Sequence, residues 1–545
     1  MTHCSSCSLD FPIPSEDQAY YKKIGVPGPT HCPPCRQQRR LSWRNERTLY
    51  RRLCSLCARS LVSIYPEKVP FPVYCADCWW SDRWNPLAYG REYDFSKTFF
   101  QNYAELQNLV PRLALYVKNV HNAEFNNHSE QIKECYLTVD AISAENVYYS
   151  NLIDSCSDVA DCMNVQRSQL CYENLQSRDN YNCIQTFLTD NCRDSAFLYD
   201  CKDCSDCFMS SNLRHKRYYI FNRPYTKEAY EEWRASFSLS SAAVYEAYYQ
   251  QFLDLIHTRA IRKAQNITQC ENCFGDFIEK SKNVHDSYSI VGSEDCRYCY
   301  INWYLKDCYD TTESAYDCEL QYESHGCNRG KRTVAAHVSY DVDAVQYVDS
   351  CHNSSDLFGC ISLRRSRYAL LNKVYPEEEY RELRARIIQK MREDGEYGEF
   401  FPTALSPYPY NDTVAHAYYP LTREEAVSRG YAWSDSPERH YLPQTLTLPD
   451  QLESVSDGIL NEILVCSECA KNYKIIEQEL KLYRQLHLSL PRRCADCRYK
   501  RRLALCNPHR LWARQCSMCR AEIQAPYPPQ ATDLVYCESC YQQTL

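Results

Sequence analysis

The residues best placed to do chemistry in this sequence are sixteen cysteines, arranged as eight Cys-x-x-Cys pairs. Four pairs lie at the N-terminal end: Cys4/Cys7, Cys32/Cys35, Cys54/Cys57 and Cys75/Cys78. Four lie at the C-terminal end: Cys466/Cys469, Cys494/Cys497, Cys516/Cys519 and Cys537/Cys540. Adding 462 to any number in the first set gives the second, so the gaps between pairs are identical at 24, 18 and 17 residues. The two arms are therefore copies. A Cys-x-x-Cys loop lets two thiolates share one tetrahedral ion, and two such loops close a Zn²⁺ site with no open position. Each arm has ligands for two sites, so four Zn²⁺ are expected per chain. Sequential pairing puts Cys4, Cys7, Cys32 and Cys35 on one ion and Cys54, Cys57, Cys75 and Cys78 on the next. Cross-bracing alternate pairs has the same formula. Closed sites of this kind are structural, so no catalytic metal is expected.

Central cysteines offer a weaker metal signal. Cys270/Cys273 and Cys296/Cys299 have the paired format and could hold a fifth zinc. Cys201, Cys204 and Cys207 form a run like that of some iron–sulfur sites. The competing reading is a ladder of buried thiols, which a recurring nine-residue cysteine spacing supports.

Between their middle knuckles the arms are rich in arginine. Arg36, Arg40, Arg44, Arg47 and Arg51 step by four, four, three and four, which is one face of a helix. The second arm has Arg498, Arg501, Arg502, Arg510 and Arg514. Trp43, Tyr50, Tyr499 and Trp512 lie among them, and basic residues mixed with aromatics suit a nucleic-acid surface. A second account is neutralisation of thiolates. A Zn(Cys)₄ site carries a formal −2, so two sites take each arm from +5 to about +1. Partners expected through the arms are thus nucleic acid or protein.

The arms resemble small bacterial zinc ribbons, whose pattern is a knuckle, an acid before an aromatic pair, then Pro-x-Arg-Cys-x-x-Cys-Arg. Here that reads Cys466, Cys469, Glu479, Leu482, Tyr483, Pro491, Arg493, Cys494, Cys497 and Arg498, with a looser copy in Asp17, Tyr20, Tyr21, Pro29, His31, Cys32, Cys35 and Arg36. The whole chain is similar to long cysteine-rich proteins of small-genome candidate-phyla bacteria. Trp79-Trp80-Ser81-Asp82, Gly398-Glu399-Phe400-Phe401-Pro402 and Tyr410-Asn411-Asp412-Thr413 carry that likeness. The resemblance implies a fold and no activity.

The elements that position these residues follow from a second duplication. Residues 119–235 and 266–392 match at an offset near 150: Cys201 with Cys351, Leu213-Arg214 with Leu363-Arg364, Asn222 with Asn372, Tyr225 with Tyr375. Cysteines recur every nine or ten residues, as in Cys183–Cys192–Cys201, between short segments punctuated by Asp and Asn. Short, evenly spaced strands and turns predict a β-solenoid with rungs of about 18–20 residues. Phe99, Tyr103, Leu106, Leu109 and Leu113 predict an amphipathic helix over Phe95 to Leu115, broken near its end by Pro111. Further helices are expected from Lys227 to Trp233, Ala242 to Arg262, Glu377 to Met391, after Thr422, and from Asp450 to Leu464. The expected order is a double zinc ribbon (1–84), helical linker (85–118), solenoid unit (119–235), linking helix (236–265), second solenoid unit (266–392), Pro/Tyr-rich connector (393–460) and second double ribbon (461–545). The fold class is mainly β with accessory helices. The arms should cap the solenoid's ends with their arginine helices outward.

Composition bounds the function. The chain has 545 residues, 35 Cys and 47 Tyr. No apolar run is long enough for a membrane span. The first knuckle starts within four residues, which leaves no room for a signal peptide, and unpaired thiols suit the cytoplasm. Each arm is +5, leaving −18 for the residues between if the chain totals −8. No phosphate loop or Gly-x-Ser-x-Gly is present. Asn411, Asp412, His416 and Tyr419 cluster in a loop better read as packing. The expectation is a non-enzymatic zinc scaffold that contacts nucleic acid or a ribonucleoprotein through its basic arms, with a protein-protein interaction scaffold as the alternative and a carbohydrate-active solenoid enzyme as the rival class.

Overall fold

A computed structural model describes residues 1–311, 315–435 and 441–545. Residues 312–314 of the second repeat and 436–440 of the connector lie outside the described residues. The chain forms two compact units. One joins Met1–Leu115 to Gln265–Asp435, and the other joins Tyr116–Ala264 to Ser436–Leu545. Each arm thus shares a unit with the repeat farther from it in sequence. Strand exceeds helix, 32% against 25%, which is the mainly-β class expected.

In the second of these units the strands run from Val117–His121 to Arg217–Ile220 and pair in parallel. Their register is constant. Asn151 faces Met163, Ser157 faces Gln169, Cys183 faces Ser195 and Cys207 faces Tyr219, each twelve residues on. Alternate short strands follow two paths, and the long strands Val139–Tyr148 and Tyr181–Phe187 join both, so seven strands close a ring of pairings. The other unit repeats this register. Tyr288 faces Tyr300, His325 faces His337, Tyr340 faces His352 and Leu357 faces Ala369.

The expected rung of 18–20 residues is therefore wrong, and the period is twelve. The reason is a triplet unit inside the repeat. Every third residue from His128 to Phe221 has positive φ, although none is glycine. Asn and Asp tolerate this conformation best, which explains the punctuation seen in the sequence. A left-handed residue at each third position bends the chain too often for long straight strands. Residues following these positions point inward, and every cysteine from Cys135 to Cys207 has a number divisible by three. Nine residues are three triplets, three quarters of the period.

That geometry gives many of the buried thiols two acceptors. Cys183 Sγ donates to the carbonyl of Tyr181 at 3.5 Å and to that of Cys192, nine residues on, at 3.3 Å. Cys156 and Cys360 do the same. Serine fits the same frame: Ser150 Oγ donates to Tyr148 O and accepts from the amide of Cys162. The second repeat slips register at Phe274/Gly275 and again at Trp303/Leu305. A Cβ on Gly275 would lie 2.1 Å from the carbonyl oxygen of Ser287, so only glycine passes there.

The helices follow local signals with two exceptions. Lys227–Ala235 is capped by Thr226, Glu377–Glu393 follows Pro376, and Arg423–Ser428 has the Thr422/Glu425 capping box. Ala242–Asp254 continues as a π-turn to Arg259. The apolar stripe after Phe95 gives only Phe99–Gln107. Leu109 is exposed and Leu113 pairs as a strand with Tyr74. From Asp450 to Leu464 there is no α-helix. Two 3₁₀ turns, Leu452–Ser454 and Asp457–Asn461, place Leu452, Val455 and Ile459 against the repeat, and packing overrides propensity.

Candidate metal centres and the arm clasps

The sixteen arm cysteines come together in four groups. They are Cys4/Cys7/Cys32/Cys35, Cys54/Cys57/Cys75/Cys78, Cys466/Cys469/Cys494/Cys497 and Cys516/Cys519/Cys537/Cys540. Pairing is sequential, not cross-braced. Within each group the sulfurs lie within 4.8 Å of one another. Cys7 and Cys32 are 3.7 Å apart, Cys57 and Cys75 3.9 Å, Cys469 and Cys494 3.7 Å, Cys519 and Cys537 3.8 Å. Four bonds of about 2.3 Å at tetrahedral angles set sulfurs about 3.8 Å apart, so each group fits one thiolate-bound ion.

Local backbone prepares these ligands. In each group the third cysteine caps a helix, and in three of them its amide turns to the first: the amides of Cys32, Cys75 and Cys537 donate to the sulfurs of Cys4, Cys54 and Cys516 at 3.3–3.4 Å. Burial raises the Cys54 thiol, but amides of Cys75, Cys57 and Leu56 outweigh it and hold its pKa at about 6. Cys466 and Cys516 are held at about 6 by the same kind of donors. Cys32 is lowered to about 5, chiefly by a hydrogen bond from Cys35. One sulfur per group is thus poised as a thiolate at neutral pH.

Among the described residues, the central cysteines do not join such groups. Cys270 and Cys273 donate to backbone carbonyls, as do Cys296 and Cys299. Cys201, Cys204 and Cys207 sit in the apolar interior of their ladder. No disulfide is present among the described residues.

The arginine helices do not face outward. Arg36, Arg40, Arg44, Arg498 and Arg502 are buried, the first two at 1% and 0% exposure. In the first arm, helix Pro33–Leu41 places Arg36 Nε 2.7 Å from Asp310 Oδ2 and Arg40 Nη2 3.3 Å from Asp310 Oδ1. Arg40 also lies 3.7 Å from Glu323. In the second arm, helix Ala495–Leu505 places Arg498 Nε and Arg502 Nη1 each 2.8 Å from Asp161, with Arg502 3.7 Å from Glu173. Adding 462 maps the first pair of arginines onto the second, and Asp161 and Glu173 precede Asp310 and Glu323 by 149 and 150 residues. Tyrosines complete the copy: Tyr149 donates to Glu479 and Tyr298 to Asp17. So does the segment before each helix, where Arg36 donates to His31 O at 2.7 Å and Arg498 to Arg493 O at 2.8 Å. Burial opposes the charge on Arg36, and Asp310 outweighs it, holding the guanidinium above its ordinary pKa. Asp161 does the same for Arg498.

The remaining arginines do not form a shared basic face. Arg44 bonds Glu46. Arg501 stacks on Tyr249 with its carbon 3.8 Å from the ring centre, and Arg514 points at the carbonyls of Tyr527, Pro528 and Asp533. Arg47 is half-buried, while Arg51 and Arg510 are exposed. The motifs from the connector strap the first arginine helix. Glu399 pairs with Arg39 at 2.7 Å, Phe401 stacks on Trp43, and Tyr410 accepts from Gln38. Asn411 bonds the backbone of Ser434, which is packing, as expected of that loop.

Sequence reasoning missed Asp161, Glu173, Asp310 and Glu323. The signal was there: the two acid pairs match at the offset of the repeats, and the two arginine pairs match at the offset of the arms. No family model and no curated protein matches this chain.

Proposed function

We propose that the chain is a non-enzymatic scaffold held by four Zn²⁺ ions, in which each arm is the clasp of a repeat rather than a nucleic-acid hand. The duplicated pairing of Arg36/Arg40 with Asp310 and Arg498/Arg502 with Asp161 carries this reading. Arginines turned onto buried carboxylates are not available to phosphates. Four thiolates with sulfurs near 3.8 Å suit Zn²⁺, which has no geometric preference of its own and favours closed tetrahedral thiolate sites. The recurring twelve-residue register and the triplet of inward residues support reading each ladder as a β-solenoid. Protein surfaces are the partners this arrangement favours, met through exposed ladder side chains that pair twelve residues apart, such as Lys133 with Glu145 and Arg167 with Asp179. Free thiols throughout suit a reducing compartment such as the cytoplasm.

An enzyme reading finds little support. A cavity of about 490 Å³ is lined by Met1, Gln18, Tyr21, Lys22 and Arg392 among others, and holds no carboxylate pair. Among the described residues, no helix is long and apolar enough to cross a membrane.

Metal analysis of the purified chain tests the proposal: about four zinc ions are expected, and a value near two or zero defeats it. Filter binding with duplex DNA and single-stranded RNA at low salt is the second arm of the test. Retention that falls steeply with salt would reinstate a nucleic-acid surface and overturn the clasp reading.

A further inference from the structure

We propose that the first metal centre of each arm is the latch of its clasp. Metal on Cys4, Cys7, Cys32 and Cys35 holds helix Pro33–Leu41 on the second repeat, and metal on Cys466, Cys469, Cys494 and Cys497 holds helix Ala495–Leu505 on the first. Loss of that metal frees the helix and uncovers an acidic column on the repeat, Tyr298–Asp310–Glu323 or Tyr149–Asp161–Glu173. This rests on the reading that the Cys₄ groups hold metal.

Three features join ligand to clasp. Cys32 is the N-cap of its helix and Cys35 lies within it, so two of four ligands belong to the element that docks. Arg36, which reaches Asp310, directly follows Cys35, and Arg498, which reaches Asp161, directly follows Cys497. Each of these arginines also donates to the residue before the third ligand, His31 or Arg493, so a single guanidinium spans knuckle and repeat. The second centre of each arm is built differently. Its helices, Ala76–Trp79 and Glu538–Gln542, are short and meet the repeat through rings. Arg364 lies over Trp79, and Tyr541 bonds Asp200 and Arg214.

The physics of the column makes the coupling two-way. Asp310 and Glu323 are both fully buried under the arm. Once the guanidiniums leave, those carboxylates cannot stay dry, because an unpaired buried charge is strongly disfavoured. The column must open to water. It is then a surface for a helix with arginines four residues apart, which is what the chain's own arm supplies. Linkage requires that if metal strengthens docking, docking strengthens metal binding by the same factor.

Hydrogen exchange on the full chain, with metal content measured on the same samples, tests this. Cys32→Ser should lose one ion and speed amide exchange over 36–41 by about 100-fold or more, the scale of breaking a buried pair. Cys54→Ser should lose one ion and leave 36–41 protected. Equal effects from both variants, or full protection in Cys32→Ser, would overturn the latch while leaving the zinc scaffold intact. A parent chain without metal would remove both. If Cys32→Ser also exposes the ladder strand Ala336–Gln346, the double variant Arg36→Gln/Arg40→Gln decides. At saturating zinc it should keep four ions, yet surrender one to a chelator at roughly 100-fold lower concentration than the parent, the same factor by linkage. An unchanged chelator titration would overturn the proposal.

Discussion

Arg36 and Asp310 are 274 residues apart in sequence and 2.7 Å apart in space. The second arm repeats the contact as Arg498 and Asp161 at 2.8 Å. A duplication preserved in both ligand and receptor makes the clasp, not the metal alone, the organising contact of each unit.

Neutralising the receptor acid should therefore be costly. Asp310→Asn leaves Arg36 and Arg40 buried without their carboxylate and should destabilise its unit by about 3–5 kcal/mol in denaturant unfolding. Asp161→Asn should do the same in the other unit. Asp77→Asn, at an exposed pair with Arg59, is the control and should move no transition. A midpoint unchanged in Asp310→Asn would show that the pair is not part of the stabilising core.

Thiols inside the ladders should be inert. Burial, set against a backbone amide donor, pushes Cys183 up to about 12, and Cys156 and Cys360 likewise. At pH 8 the native chain should protect them from iodoacetamide while the denatured chain reacts fully. Cys183→Ser keeps the polar frame and should cost about 1 kcal/mol or less, by analogy with Ser150. Cys183→Leu overfills the interior and should cost about 1–3 kcal/mol. A larger loss from serine than from leucine would show that the carbonyl contacts do not matter.

Acid should loosen the first arm through His352. Burial lowers its pKa to about 4, with Arg364 adding to the effect and Asp349 opposing it. The unfolded histidine titrates near 6.5, so between those values the unfolded chain binds the extra proton. Stability from this group is complete above about pH 6.5 and falls as pH drops toward 4, by about 3 kcal/mol in all. His352→Phe should flatten the pH dependence of unfolding in that window. A slope identical to the parent's would remove His352 from the account.

The register slip at Gly275 gives a backbone test. Its φ of +152° and the 2.1 Å approach of Ser287 O leave no room for a side chain. Gly275→Ala should cost about 2 kcal/mol or more. Gly28→Ala, whose Cβ meets only Ile13 at 3.5 Å, should be near neutral. Equal thermal midpoints for the two variants would mean the ladder relaxes around the bulge.

Much of the local structure was legible in the sequence. Thr226 and Thr422 mark helix starts because a cap acts within three residues. The twelve-residue period was less plain. Cysteine fills only some inward positions and shares them with Ser, Ala, Val and Ile, so the visible spacing of nine hid the triplet beneath it. Asp450–Leu464 misled for the opposite reason: Leu452, Val455 and Ile459 have helical spacing, yet they pack against a repeat from two 3₁₀ turns.

By itself the sequence determined the candidate metal ligands, since knuckle spacing is a local property and the two arms state it twice; which knuckles share a group was decided by the tertiary structure. It put Arg36 and Arg40 on one helical face, but not Arg44, Arg47 and Arg51 as expected: the helix ends at Leu41 and Arg51 lies in the strand Tyr50–Leu53. Only the tertiary structure decided which way that face turns. The charges that answer it, on Asp161, Glu173, Asp310 and Glu323, lie some 270 to 340 residues away along the chain. A basic stripe bound for solvent and one bound for a buried carboxylate have the same sequence. Desolvation and pairing at the far end of the contact choose between them.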